Sequence, residues 1–247
     1  MLENLKLCYN YFHVPGDDEK SLFRKGVVDS VSKELDEIAV ALNSPTISWS
    51  DKQECLNFLK SNPKLKIEKS TMSHDFFIGE IALIAGWFIA LNHFLESDQD
   101  ILLVFEDDLW FNNKEQAALN QLKEIIINAP VDNELLFLFS PEDCFEKYSP
   151  DLDINNFICT SFATWSTAFT LITRSGAKKI LSIFENGVTL CLDLLLIKNL
   201  SLIKYAIKPE IQPKYWSTYS RLWLGSTIDP REGLVSRLEI CAQDLEF

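Results

Sequence analysis

Three acidic residues in a row, Glu106, Asp107 and Asp108, follow directly on the apolar run Ile101-Leu102-Leu103-Val104-Phe105. Carboxylates this close repel one another unless a cation or water lies among them. Hard divalent cations such as Mg²⁺ and Mn²⁺ take carboxylate oxygens and are commonly shared with substrate phosphates. Alternate residues of an extended segment face the same side, so Glu106 and Asp108 are the pair placed to face one cation. For an isolated acidic triplet the commoner reading is a solvated turn at the end of a strand.

Other residue types in the chain can do chemistry. Asp193 is the one acid within Val188 to Ile197, and desolvation among apolar neighbours makes a carboxylate a stronger base. A cap or a buried hydrogen-bond partner explains it as well. Asp143 follows the run Glu134 to Ser140 and is either a second base candidate or a turn residue. Glu80 heads the most apolar segment, where the dipole of a helix start favours a carboxylate. Arg174 and Lys214 are cations able to meet phosphate, and Trp216, Tyr219 and Trp223 are aromatic faces on which a sugar can stack or which pack a terminal segment onto the core. His13, His74 and His93 have no shared-ligand spacing, and six cysteines are spread singly with no CxxC pair, so a zinc site is not expected.

These residues sit among segments that alternate in character. Strands are expected at Leu5 to Phe12, Thr46 to Trp49, Asp100 to Phe105, Glu134 to Ser140, Phe157 to Phe162, Ala168 to Thr173 and Ser201 to Lys208. Helices are expected at Ser21 to Leu42, from Asp51 to near Pro63, at Ile78 to Leu95, about Lys114 to Asn128, Ser175 to Phe184, Leu190 to Leu200 and Gly233 to Asp244. Tyr148 to Asn156 reads as a loop, and the chain after Pro209 as irregular and aromatic. The alternation implies an α/β fold with a mostly parallel central sheet flanked by helices, in a single domain over residues 1–247.

Composition narrows the function classes. The formal net charge of −13 over 247 residues disfavours general nucleic-acid binding. The Ile78 to Leu95 segment is interrupted by Glu80 and by Asn92-His93, so it suits a buried core helix better than a membrane span. The first residues lack the basic flank and apolar core of a signal peptide. Free thiols then suit a reducing compartment, and a cytoplasmic protein is expected, with peripheral contact at a membrane face left open.

Four segments, in order, resemble glycosyltransferase family 25, which includes lipooligosaccharide and collagen galactosyltransferases. Gly79-Glu80-Ile81-Ala82 and the apolar helix after it are similar to the family's GEIGC helix. Leu103 to Asp108 is similar to its LVLEDD strand. Ser166 to Leu181 (STAFTLITRSGAKKIL) is similar to its GTAYLISRKGAKKLL block. Asp193, then Tyr205 to Pro209 and Ser217, are similar to its VD…Y…P…S pattern. The resemblance spans residues 79–220, more than half the chain. It departs at Gly86-Trp87, where the family carries Ser-His, and at Leu7-Cys8-Tyr9-Asn10, where the family's first strand reads INL.

The resemblance implies a GT-A-type, Rossmann-like domain and inverting transfer of a hexose, galactose or glucose, from a nucleotide sugar such as a UDP-sugar to a hydroxyl of a glycan or lipid-linked acceptor. It implies a divalent cation, Mn²⁺ or Mg²⁺; Glu106 and Asp108 are the candidates to hold it, and Asp107, Glu80 and Arg174 the candidates to meet the donor. Asp193 is the first choice of general base and Asp143 the reserve. Two alternatives stay open: a catalytically degenerate relative that binds glycans or pairs with an active enzyme, and a metal-dependent phosphohydrolase.

Overall fold

A computed structural model describes residues 52–72, 75–105, 109–111, 115–139, 153–154, 157–159, 167–207, 216–218 and 239–240. The strands expected at Leu5 to Phe12 and Thr46 to Trp49, and the helix at Ser21 to Leu42, lie outside the described residues. The elements are, in order, α1 (Lys52–Ser61), β1 (Phe76–Phe77), α2 (Ile78–Glu96), β2 (Ile101–Phe105), β3 (Leu109–Phe111), α3 (Glu115–Asn128), β4 (Leu135–Phe137), β5 (Asp153–Ile154), β6 (Phe157–Cys159), β7 (Phe169–Thr173), α4 (Arg174–Asn186), α5 (Leu192–Lys198), β8 (Lys204–Ile207), β9 (Trp216–Thr218) and β10 (Glu239–Ile240).

The chain gathers into two compact units. One comprises Met1–His93, Leu181–Leu192 and Ser220–Phe247, the other Phe94–Ile180 and Asp193–Tyr219.

The second unit holds a six-stranded sheet in the order β2-β7-β4-β8-β6-β5. Helices and sheet make the fold mixed α/β, but in the described residues the sheet is mostly antiparallel, not mostly parallel as the sequence suggested. Among the described residues of this sheet only β4 and β8 pair in parallel, and the other four pairings are antiparallel. Continuous apolar strands require cover on both faces, and an antiparallel sheet covered on both faces meets that requirement equally well. One face carries Leu136, Leu138, Phe169, Leu171, Tyr205 and Ile207 packed with Leu122 and Ile125 of α3. Side chains of the alternate positions Leu102, Leu135, Phe137, Ile172 and Ala206 are buried too, so the opposite face is also covered.

Two cations finish helices in this unit. The Arg174 guanidinium donates to the carbonyls of Phe94 (3.3 Å) and Leu95 (2.8 Å) in the last turn of α2 and of Ser97 (2.9 Å) and Gln99 (2.9 Å) in the turn after it. The buried Lys204 ammonium does the same for α5, donating to Leu196 (3.0 Å), Ile197 (2.6 Å) and Asn199 (2.7 Å). Helix α4 packs tightly on the start of β4. A Cβ on Gly176 would stand 2.1 Å from the Glu134 carbonyl oxygen, and that oxygen also accepts from the Thr173 amide (3.2 Å). Lys179 holds the Glu134 carboxylate at 2.7 Å, and the same carboxylate accepts from the Ile203 amide at 2.9 Å.

In the first unit α2 is a core helix, with Ile81, Ile84, Ala85 and Leu91 fully buried. Its apolar character nearly all round therefore reflects burial, and among the described residues no helix is long and apolar enough to cross a membrane. Ile67 and Val188 form a parallel bridge, with Lys66 and Glu68 bonded to the chain around it. Strands β1 and β10 pair antiparallel. Glu239–Ile240 is thus a strand where the sequence suggested a helix over Gly233 to Asp244. The partner at Phe76–Phe77 decides, because a two-residue strand exists only through its pairing. Likewise Asp153–Ile154, expected as loop, is a strand because it pairs with Phe157–Ile158.

Candidate functional site

Register fixes which strand ends meet. Phe105, the last residue of β2, pairs with Phe169, the first of β7. Phe137, the last of β4, pairs with Thr170 of β7 and with Ala206 of β8. Strands β2, β4 and β8 therefore all finish at one end of the sheet, and β7 begins there. The chain leaves β2 into Glu106-Asp107-Asp108 and leaves β4 in the direction of Asp143.

The four acids Glu106, Asp107, Asp108 and Asp143 themselves lie outside the described residues. The residues bordering the triplet do not. Phe105 is held in the ladder with β7, and Leu109 pairs with Thr218 in the separate β3–β9 ladder. Three acids thus connect two strands that are each anchored by a pairing. Among the described residues no three His, Cys, Asp or Glu side chains gather as a metal-binding group, and the triplet is not among those residues. Its oxygen-only donors are the chemistry that Mn²⁺ and Mg²⁺ prefer.

Asp193 stands at this same end. It occupies the first turn of α5, half-buried, and its Oδ1 accepts a hydrogen bond from the Thr167 hydroxyl at 3.0 Å. Thr167 is almost fully buried, two residues before the Phe169 that pairs with Phe105. One carboxylate candidate is thereby tied to the sheet end from which the acidic triplet departs. Thr167 was not singled out by the sequence as a site residue. The signal available was a polar residue placed just ahead of an apolar strand, inside the STAF segment.

The remaining candidates fall elsewhere. Arg174 lies at the opposite end of β7, since it follows Thr173, the partner of Ile101 at the start of β2. Its guanidinium is engaged by the four carbonyls at and just beyond the end of α2 and stands 5.5 Å from the centre of the Phe94 ring. That geometry accounts for the residue as a helix cap. Glu80 is buried in the first turn of α2, in the other compact unit. Trp216 belongs to β9, opposite Phe111, while Lys214, Tyr219 and Trp223 lie outside the described residues. His93 is exposed on α2, and His13 and His74 lie outside the described residues. Cys55 is fully buried, and that burial pushes its thiol up to about 12 from 9.0, so it is no nucleophile at neutral pH.

Neither family models nor curated proteins give a match to the chain.

Proposed function

We propose that the chain is an inverting glycosyltransferase that moves a hexose, galactose or glucose, from a nucleoside-diphosphate sugar to a hydroxyl of a glycan or lipid-linked acceptor. A UDP-sugar is the proposed donor and the cytoplasm the proposed compartment. The observation that carries the reading is the meeting of strand ends: the exit of β2 into Glu106-Asp107-Asp108 and the Thr167-bound Asp193 share one end of the sheet. A site for sugar transfer needs a place for the diphosphate's charge and, within reach, a base for the acceptor hydroxyl. The acidic triplet and Asp193 are suited to these two duties.

In this scheme Glu106 and Asp108 hold Mn²⁺ or Mg²⁺, which supplies charge neutralisation at the leaving diphosphate. Asp107 contacts the donor's ribose or sugar. Asp193 takes the proton of the acceptor hydroxyl as its oxygen bonds to the sugar's anomeric carbon. The anomeric carbon–phosphate oxygen bond breaks, and its electron pair leaves with the nucleoside diphosphate. Asp143 is the second candidate for the base. Glu80 and Arg174 are less suited to the donor, Arg174 because its guanidinium already serves the end of α2.

The test is a panel of nucleotide sugars, with and without Mn²⁺, read by thermal shift and by release of the nucleoside diphosphate. Binding and slow hydrolysis of a UDP-hexose that require the cation are expected. Asp108→Ala should remove the cation requirement together with binding, and Asp193→Asn should abolish turnover with donor binding intact. No binding by any nucleotide sugar under either condition refutes the proposal.

A further inference from the structure

We infer that Thr167 is a positioning residue for the Asp193 base, an inference that rests on the transferase reading above. The bond between them joins residues 26 apart in sequence, from the lead-in of a central strand to the first turn of a short helix. Helix α5 is seven residues long, so its own ladder does little to fix an end-turn side chain. Thr167 has what α5 lacks. Its side chain is almost fully buried, and it leads into β7, which pairs with β2 on one side and β4 on the other.

A threonine also serves better here than a serine. Its second branch at Cβ restricts χ1, so the hydroxyl is held in few directions. A donor of that kind selects one orientation of the Asp193 carboxylate. Asp193 is only half-buried, which leaves it within reach of an acceptor. The hydroxyl therefore contributes geometry, holding the carboxylate where proton transfer from the acceptor hydroxyl is aligned. The donor sugar is bound by other residues, so its affinity does not depend on Thr167.

The split between turnover and donor binding tests this. Wild type, Thr167→Val, Thr167→Ser and Thr167→Ala are compared in hydrolysis of UDP-galactose and UDP-glucose with Mn²⁺, with kcat expressed per donor-binding site counted by titration. Thr167→Val is expected to lower kcat about tenfold with the donor KM unchanged, the scale of a misaligned acid–base group. Thr167→Ser should recover most of the loss, because it restores the hydroxyl with a looser χ1. Should Thr167→Val not fold, Thr167→Ala makes the same deletion with less bulk. Wild-type kcat per site in the hydroxyl-free variants overturns the inference, as does an equal loss in Thr167→Ser. Absence of both binding and turnover in wild type across the nucleotide-sugar panel instead refutes the transferase reading, and with it the role given to Thr167. Substrate-free stability then reports separately on the bond, through the coupling of Thr167→Val with Asp193→Ala in urea.

Discussion

Replacing Arg174 by methionine separates a guanidinium that closes a helix from one that meets phosphate. In the structure one planar fork reaches four carbonyls between Phe94 and Gln99, at 2.8 to 3.3 Å. Each hydrogen bond from a charged donor is worth about 1.5–3 kcal/mol when measured singly, and bonds sharing one donor group do not add. Charge at a helix C-terminus contributes about 0.3–1 kcal/mol and a ring under the guanidinium about 0.5–1 kcal/mol. Methionine keeps part of the packing on Phe94 and leaves the carbonyls to water, apart from the Phe94 oxygen, which still accepts from the Ser97 amide and hydroxyl. The expected loss is about 3 kcal/mol, or roughly 6–12 °C in melting temperature for a chain of this size. Urea unfolding followed by tryptophan fluorescence reads it as a lowered midpoint with an unchanged slope. Arg174→Lys should recover only about half, since an ammonium cannot fork across four acceptors. A methionine variant within about 1 kcal/mol of wild type refutes the capping account. Should it also lose nucleotide-sugar binding, the guanidinium belongs to the donor, the role its charge suggests in the sequence.

The tight contact at Gly176 predicts that Gly176→Ala destabilises the protein by about 3 kcal/mol, although the same change in an open helix stabilises by about 1 kcal/mol. The obstacle is the Glu134 carbonyl oxygen, 2.1 Å from the added carbon, and a urea midpoint at or above that of wild type refutes it. Lys204→Met removes a buried donor from the Leu196, Ile197 and Asn199 carbonyls. It should lower stability by about 3 kcal/mol, again in urea, whereas a neutral outcome means these oxygens find other partners. Burial holds the Cys55 proton in the folded state to about pH 12, against 9.0 for the ordinary thiol. Folded protein therefore binds more protons than unfolded protein between those pH values, and stability falls as pH rises through that window. Between pH 9 and 11 the wild type should lose stability more steeply than Cys55→Ala, the difference approaching about 1.4 kcal/mol per pH unit. Parallel curves refute the burial effect.

Much of the framework is legible in the sequence because it is local. Strand β2 and the core helix α2 are continuous apolar stretches of the right lengths, and both stand where the pattern puts them. The amphipathic spacing of α3 and α4 is equally plain. What the sequence does not reveal depends on partners far along the chain. Asp153–Ile154 and Glu239–Ile240 are too short to carry a period of their own, and only Phe157–Ile158 and Phe76–Phe77 make them strands. Arg174 looks available for phosphate until the end of α2, 75 to 80 residues earlier, is brought against it. Asp193 stands out in the sequence as a lone acid in an apolar stretch, but Thr167 does not, and the hydrogen bond between them exists only in the folded unit.

Strand direction carries the last consequence. The expectation that ligands gather beyond strand C-termini belongs to parallel sheets, where every strand ends on the same side. Here β7 runs against both of its neighbours, so that rule does not transfer as it stands. Two reversals in succession nevertheless leave β2 and β4 pointing the same way, and β8 is parallel to β4. Three exits still collect at one end. The reversed strand adds what a parallel one would not, because its start brings Thr167, and through it Asp193, to the end where β2 gives way to the acids. In a fully parallel sheet that end of the central strand would be an exit as well, and Asp193 would need another anchor. The antiparallel β7 therefore shifts the support for the acidic triplet from strand direction to register: Phe105 opposite Phe169, with Thr167 two residues further along.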